Sequence, residues 1–379
     1  MNFNVTVLTA ATMLAISIPS VTLAEEEDSY EQRRELSNMI KTMRKVRKKL
    51  PMPVPAGLFG IYAFPEKGQG VAGVNFQHYE FSGLIQGTDS VSAQTAVTTV
   101  PNRFFGNPGQ PPTLRVVPTK AKADVIFPFA NFSLNETVAL VALAPLIRKQ
   151  TTLETFAGGG GTTSLGTNTV KSEGLGDIKF GAIFRAFNGE NNKHNLVIDA
   201  VLSAPTGSIT QEDMQLTPAN TKVKARLAYG MQLGSGTWDT LVGASYWGKD
   251  KQWGWGAQYL ATIPLESKNS EGWRYGDKHE VTSWISYEWD PTLVTSARVR
   301  GETQGTIKGI DPKIYGPGLG ADPENYGGDK VEFAIGVNWM VATANNISIE
   351  FSKPIYQDRN GIQADHDYSL FFSWRSGFF

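Results

Sequence analysis

The sequence has no cysteine among its 379 residues. That excludes a disulfide framework and any thiolate metal site. It also suits a chain exported into an oxidising compartment, where a stray thiol would mispair. Net charge is lacking too: 35 Lys and Arg stand against 36 Asp and Glu, leaving −1 at pH 7. Without a cationic surplus there is no electrostatic footprint for nucleic acid. The four histidines, His78, His194, His279 and His366, are too scattered for ligand spacing. Gly158-Gly159-Gly160-Gly161 has no Gly-Lys-Ser/Thr after it, so it reads as a loop rather than a phosphate cradle. No cofactor and no metal is implied, although Asp358-Arg359-Asn360-Gly361 with Asp365 and Asp367 leaves a calcium loop beside the plainer reading of a solvated one. Long apolar runs are missing beyond the N-terminus, and mean hydropathy is −0.23. That is too polar for a bundle of membrane-spanning helices.

What is present begins with one apolar run, residues 5–18, followed by Pro19-Ser20, Thr22-Leu23-Ala24 and the acidic Glu25-Glu26-Glu27-Asp28. Its length and small-residue end predict a signal peptide over residues 1–24, cleaved after Ala24. Met1 to Asn4 depart from the pattern in carrying no Lys or Arg. A membrane anchor is the alternative, but the run is short for a span. Residues 30–50 then repeat Leu36, Met39, Ile40, Met43, Val46 and Leu50 at three- and four-residue steps, with basic residues on the other faces. This predicts an amphipathic helix, stopped by Pro51-Met52-Pro53-Val54-Pro55. Residues 25–56 are thus a helix and Pro-rich linker that plugs a pore, lies on a membrane or tethers the chain.

From about residue 70 the period becomes two. Val331, Phe333, Ile335, Val337 and Trp339 alternate with Glu332, Ala334, Gly336 and Asn338; Ile347, Ile349 and Phe351 alternate with Ser348 and Glu350. The segments run longer than the strands of a soluble sandwich and have the length of tilted bilayer crossings. The 39 glycines and the 9 Trp, 12 Tyr and 20 Phe suit tight corners and aromatic girdles. The last segment sets Tyr368, Leu370, Phe372, Trp374 and Phe378 against Ser369, Ser373 and Arg375 and ends at Phe379. It resembles the C-terminal signature of outer-membrane barrels, which the insertion machinery recognises. The fold predicted for residues 57–379 is all-β and transmembrane: an antiparallel up-and-down outer-membrane β-barrel. Alternating short turns and long outer loops give 12 strands, the first over residues 70–81. Residues 58–64 are left over, as an inner plug segment or as a sign of 14. The long loops are placed at 83–118, 150–174, 205–236, 267–278, 305–329 and 357–367.

Several glycine-rich segments occur together: Met52-Pro53-Val54-Pro55-Ala56-Gly57, Gly87-Thr88-Asp89-Ser90-Val91-Ser92, Gly174-Leu175-Gly176-Asp177, Ala204-Pro205-Thr206-Gly207-Ser208 and Met231-Gln232-Leu233-Gly234-Ser235-Gly236. In this order they resemble the outer-membrane transporters of the "meta-pathway of phenol degradation" family. The resemblance implies a channel for small, often hydrophobic or aromatic compounds, with no catalytic residues to carry over. Its partners would be outer-membrane lipid and lipopolysaccharide, the insertion machinery at the Phe379 end, and a small-molecule solute. If the apolar rows face lipid, the intervening charges line the lumen: Asp177, Lys179, Arg185, Asp199, Glu280, Glu288, Arg298, Arg300, Glu302, Glu332 and Glu350. Arg298 and Arg300 are expected opposite Glu280 and Glu288 on the adjacent strand. An outer-membrane lipid enzyme is one rival reading, but His279 and Ser283 lie about 13 Å apart along one strand, too far for proton transfer. A structural or partner-binding barrel is the other.

Overall fold

The computed structural model describes residues 26–47, 55–59, 67–189, 193–342 and 344–378. The expected leader, its cleavage point and Phe379 lie outside them. Helix α1 spans Glu26–Arg47. It begins earlier than the apolar spacing suggests because Glu26, Glu27 and Asp28 favour the positive end of a helix dipole. Leu36 and Met39 on its apolar row are exposed.

The rest is a closed antiparallel sheet. Its elements are β1 (Gly70–Gly87), β2 (Val116–Ser133), β3 (Val138–Leu143), β4 (Leu146–Phe156), β5 (Ser164–Leu175), β6 (Lys179–Asn188), β7 (His194–Ser203), β8 (Asp239–Asp250), β9 (Trp253–Pro264), β10 (Lys278–Glu288), β11 (Leu293–Gln304), β12 (Gly328–Ala342) and β13 (Asn345–Phe378). Eleven of them close a ring in the order β1-β13-β12-β11-β10-β9-β8-β7-β6-β3-β2, and β2 returns to β1. Beyond the ring, β4 continues β3 along the edge of β2, and β5 pairs with β4. The short strand Asp89–Val91 pairs with the end of β1.

Element β13 is 34 residues long. Its first part pairs with β12 and its second with β1. The chain folds back near Gly361, whose φ of +59° suits glycine. The Phe351 and Tyr368 rings lie 5.9 Å apart across the fold, and the Gln357 amide donates to Asp365 at 2.6 Å. The segment 357–367, expected as a loop, is therefore strand up to a tight tip. Likewise residues 150–174 are mostly β4 and β5, with the four glycines at the tip; threonines alternating on both faces had masked the strand period. Residues 205–236 give the ring no strand, only a small hairpin, Glu212–Leu216 with Lys222–Arg226.

The wall is inverted relative to a soluble protein. Trp289 and Ile335 are 64% and 54% exposed, while Glu332 and Glu350 are each 3% exposed. An exposed ring of Trp253, Trp289, Trp339 and Phe378 marks the short-turn end, as an aromatic girdle does at a membrane interface. β1 and β2, 18 residues each, measure about 60 Å, more than the ~25 Å lipid-facing band requires. Their outward rows accordingly turn polar toward the long loops, where His78 meets Asp124 at 2.6 Å and Glu80 at 3.3 Å.

Candidate functional site: a lumen and a roofed chamber

Alternation turns the second row of each strand inward. Across β10, β11 and β12 that row builds a charge lattice. Arg300 bonds Glu280 at 3.1 Å and Glu332 at 2.8 Å, and lies 3.6 Å from Glu302. Lys278 reaches Glu280 at 2.8 Å, Lys330 reaches Glu332 at 3.5 Å, and His366 faces Glu332 at 3.4 Å. Arg298 pairs with Glu350 on β13.

The expected cross-strand pairing needs correction in two places. The register sets Arg298 opposite Trp284 on one side and Ala334 on the other. The bulky indole closes the first direction, and the small Ala334 lets the guanidinium pass over β12 to Glu350. Glu288, near the turn, bonds Lys249 at 2.8 Å instead. Only Arg300 with Glu280 meets as expected.

A cavity of about 460 Å³ occupies the lumen, and Lys179, Glu280, Arg298, Arg300 and Glu350 line it. Glu302 and Glu332 stand behind Arg300 rather than on its surface. Asp199 is buried near an apolar cluster that includes Val197, Val201 and Trp247, and neither carboxyl oxygen has a hydrogen-bond partner among the described residues. Arg185 lies toward the short-turn end of β6, outside the cavity lining. The lumen also holds a chain segment. Ala56, Gly57, Leu58 and Phe59 line the cavity from within, Leu58 packs with Trp247 and Trp284, and the Phe59 carbonyl accepts from Gln258 at 2.7 Å. Residues 57–59 are thus an inner segment and not the first residues of the wall.

Asp177 has a different place: it ties the glycine-rich segments together. Its carboxylate accepts from the Gly207 N–H at 2.9 Å and the Ser235 N–H at 2.7 Å. A Cβ on Gly207 would come within 2.7 Å of the Gly234 Cα, so only glycine permits this backbone approach. Thr206 donates to the Gly176 carbonyl at 2.8 Å in the same knot.

Beyond the knot, the long loops roof a second cavity of about 550 Å³, mostly apolar, with Leu153, Val170, Leu227, Met231 and Tyr326 in its lining. Trp273 stacks edge-on with Tyr229 at 5.0 Å, and Tyr229 with Tyr326 at 5.7 Å. Burial pushes the Tyr229 phenol up to about 12 and raises Tyr326 further, so both stay neutral. Buried Arg226 clamps the roof, bonding Asp311 at 2.9 Å and Glu271 at 3.3 Å. Tyr79, on the inward row of β1, lines both cavities. Sequence reasoning missed this chamber, because half its lining comes from loops with no periodicity. It also missed Lys149, which lies just before the expected loop 150–174 in a strand that runs on to Phe156.

Among solved structures the chain is similar to an outer membrane channel from Pseudomonas putida F1, at 14% identity, covering 86% of this chain and all of that one with a TM-score of 0.55. The fold is an outer-membrane barrel. Looser likenesses are to a TodX monoaromatic hydrocarbon channel mutant (10% identity, 84% of this chain and 92% of that one, TM-score 0.44) and a Pseudomonas aeruginosa FadL homologue (11%, 87% and 99%, TM-score 0.43). No family model and no curated protein matches the chain.

Proposed function

We propose that this chain is an outer-membrane channel for small organic solutes with an apolar part. One observation carries the reading: inside a wall whose outer face is apolar, an apolar chamber and a charged lumen share Tyr79. A solute would leave the roofed chamber past that ring, reorient in the transverse field of the acid–base lattice, and meet the inner segment 56–59. The likeness to a Pseudomonas outer membrane channel agrees with this, and so does the packing into one knot of three glycine-rich segments that resemble those of the phenol meta-pathway family.

The proposal includes export by a signal peptide cleaved after Ala24, and insertion guided by the Phe379 end. With the two halves of β13 counted separately, and β3–β4 and β5–β6 each counted as one interrupted strand, the wall crosses 12 times. The lumen charges act on solute by orientation and selection, with no catalytic step. Proteoliposome swelling tests the reading. Small aromatics should enter faster than sugars of similar mass, and empty liposomes should show no such difference. Absence of flux for sugars, amino acids and aromatics alike would overturn it.

A further inference from the structure

The roofed chamber has a charge pattern that its apolar character does not explain. Among the described residues its lining contains Lys122, Lys149 and Arg226 and no Asp or Glu. Lys122 belongs to the exposed row of β2, opposite Glu80, and Arg226 is committed to Asp311 and Glu271. Lys149 remains. It stands on the inward row of β4, and its Nζ donates to the carbonyls of Gly230 at 2.9 Å and Gln232 at 2.6 Å. No ion pair engages it among the described residues. An ammonium has three N–H donors, so one is left for the chamber. The two carbonyl dipoles hold the group in place, the Asp177 carboxylate of the knot attracts it without forming an ion pair, and apolar surroundings strengthen any ion pair made there.

The same arrangement recurs on the other side of the Asp177 knot. Lys179 lines the lumen cavity, and its Nζ touches the Asp177 carbonyl at 3.4 Å. The lining of that cavity carries Lys179, Lys278, Arg298, Arg300 and Arg375 with Glu280 and Glu350, while Glu302 and Glu332 bind Arg300 from outside the lining. A route built for neutral hydrocarbon alone has no use for a half-buried ammonium at its apolar station.

We propose that the solute is an amphipathic organic anion, its apolar body in the roofed chamber and its carboxylate or equivalent anionic oxygen head on Lys149, from which the head passes to Lys179. This rests on the channel reading and narrows its substrate class. The test compares 2-naphthoate with the neutral 2-naphthalenemethanol, by fluorescence titration of the full chain in lipid nanodiscs against empty nanodiscs. Naphthoate should bind at least tenfold more tightly, the span expected of a charge-assisted bond in a desolvated site. Lys149→Gln should erase that preference, bringing naphthoate down to the alcohol's affinity, and Lys149→Arg should restore most of it. Equal affinities for the two probes in the unmodified chain, or a preference that survives Lys149→Gln, overturns the proposal. Neither result touches the channel reading, which falls only if the proteoliposomes pass no solute at all.

Discussion

Arg298 and Glu350 are both nearly sealed from solvent, at 9% and 3% of side-chain exposure, and the Gly57 backbone lies against them: a Cβ on Gly57 would come within 3.0 Å of both side chains. Each charge is tolerated inside the wall only because the other is there. Glu350→Gln should therefore cost about 3–5 kcal/mol, the usual penalty for stranding a buried charge, seen as a lower unfolding temperature in lipid. It should also shift the reversal potential in a salt gradient toward anions, since an acid is lost from the lumen while Arg298 stays charged. A planar bilayer recording checks the second effect independently of stability, and an unchanged reversal potential would show that the pair does not face the conducting path. The rows carrying these residues were legible in the sequence, because alternation of Glu332, Ala334, Gly336 and Asn338 with large apolar residues fixes which side faces inward. Which acid each arginine meets was not legible. That depends on register and on one small residue, Ala334, and neither leaves a local signature.

At the scale of elements, the roof rests on Arg226. It draws residues 209–226 toward 271 and 311 through Asp311 and Glu271. Burial works against the charge on Glu271, yet Lys313 and Arg226 together hold its carboxyl below the usual range. A carboxyl whose folded value is depressed contributes stability above its unfolded value and loses it as pH falls through the folded one. The roof should hold at neutral pH and loosen below about pH 4, visible as faster amide exchange in residues 305–327 while β10 and β11 remain protected. Asp311→Asn should produce the same loosening at pH 7; protection that survives it would mean that the aromatic stack of Tyr229, Trp273 and Tyr326 suffices alone. None of this could be read from the loops beforehand. Their apolar residues, Trp273 and Ile314 among them, follow no period, and only the fold gathers them into one cluster.

For the whole molecule, the inverted wall makes a plain demand on solvent. Exposed Val281, Ile285, Val299, Phe333, Ile335, Val337 and Ile349 stand on the outer face of the successive strands β10, β11, β12 and β13, a larger apolar face than a soluble monomer tolerates. The mature protein should fractionate with outer membranes and leave them only in detergent; recovery from the periplasmic wash would remove the basis for transport. The general architecture was readable because a bilayer imposes one period on every crossing. The inner segment was only half readable, since Leu58 and Phe59 are apolar whether they lie in a wall or inside one.

The ring is completed where the chain's beginning meets its end, Gly70 beside Phe378 and Gly87 beside Arg359. Until residues 359–378 are in place, β1 has no partner on that flank and two raw edges stay open to any passing strand. The ring therefore closes only when the second half of β13 docks, and a chain lacking it keeps most of its hydrophobic skin yet has nothing with which to fasten it.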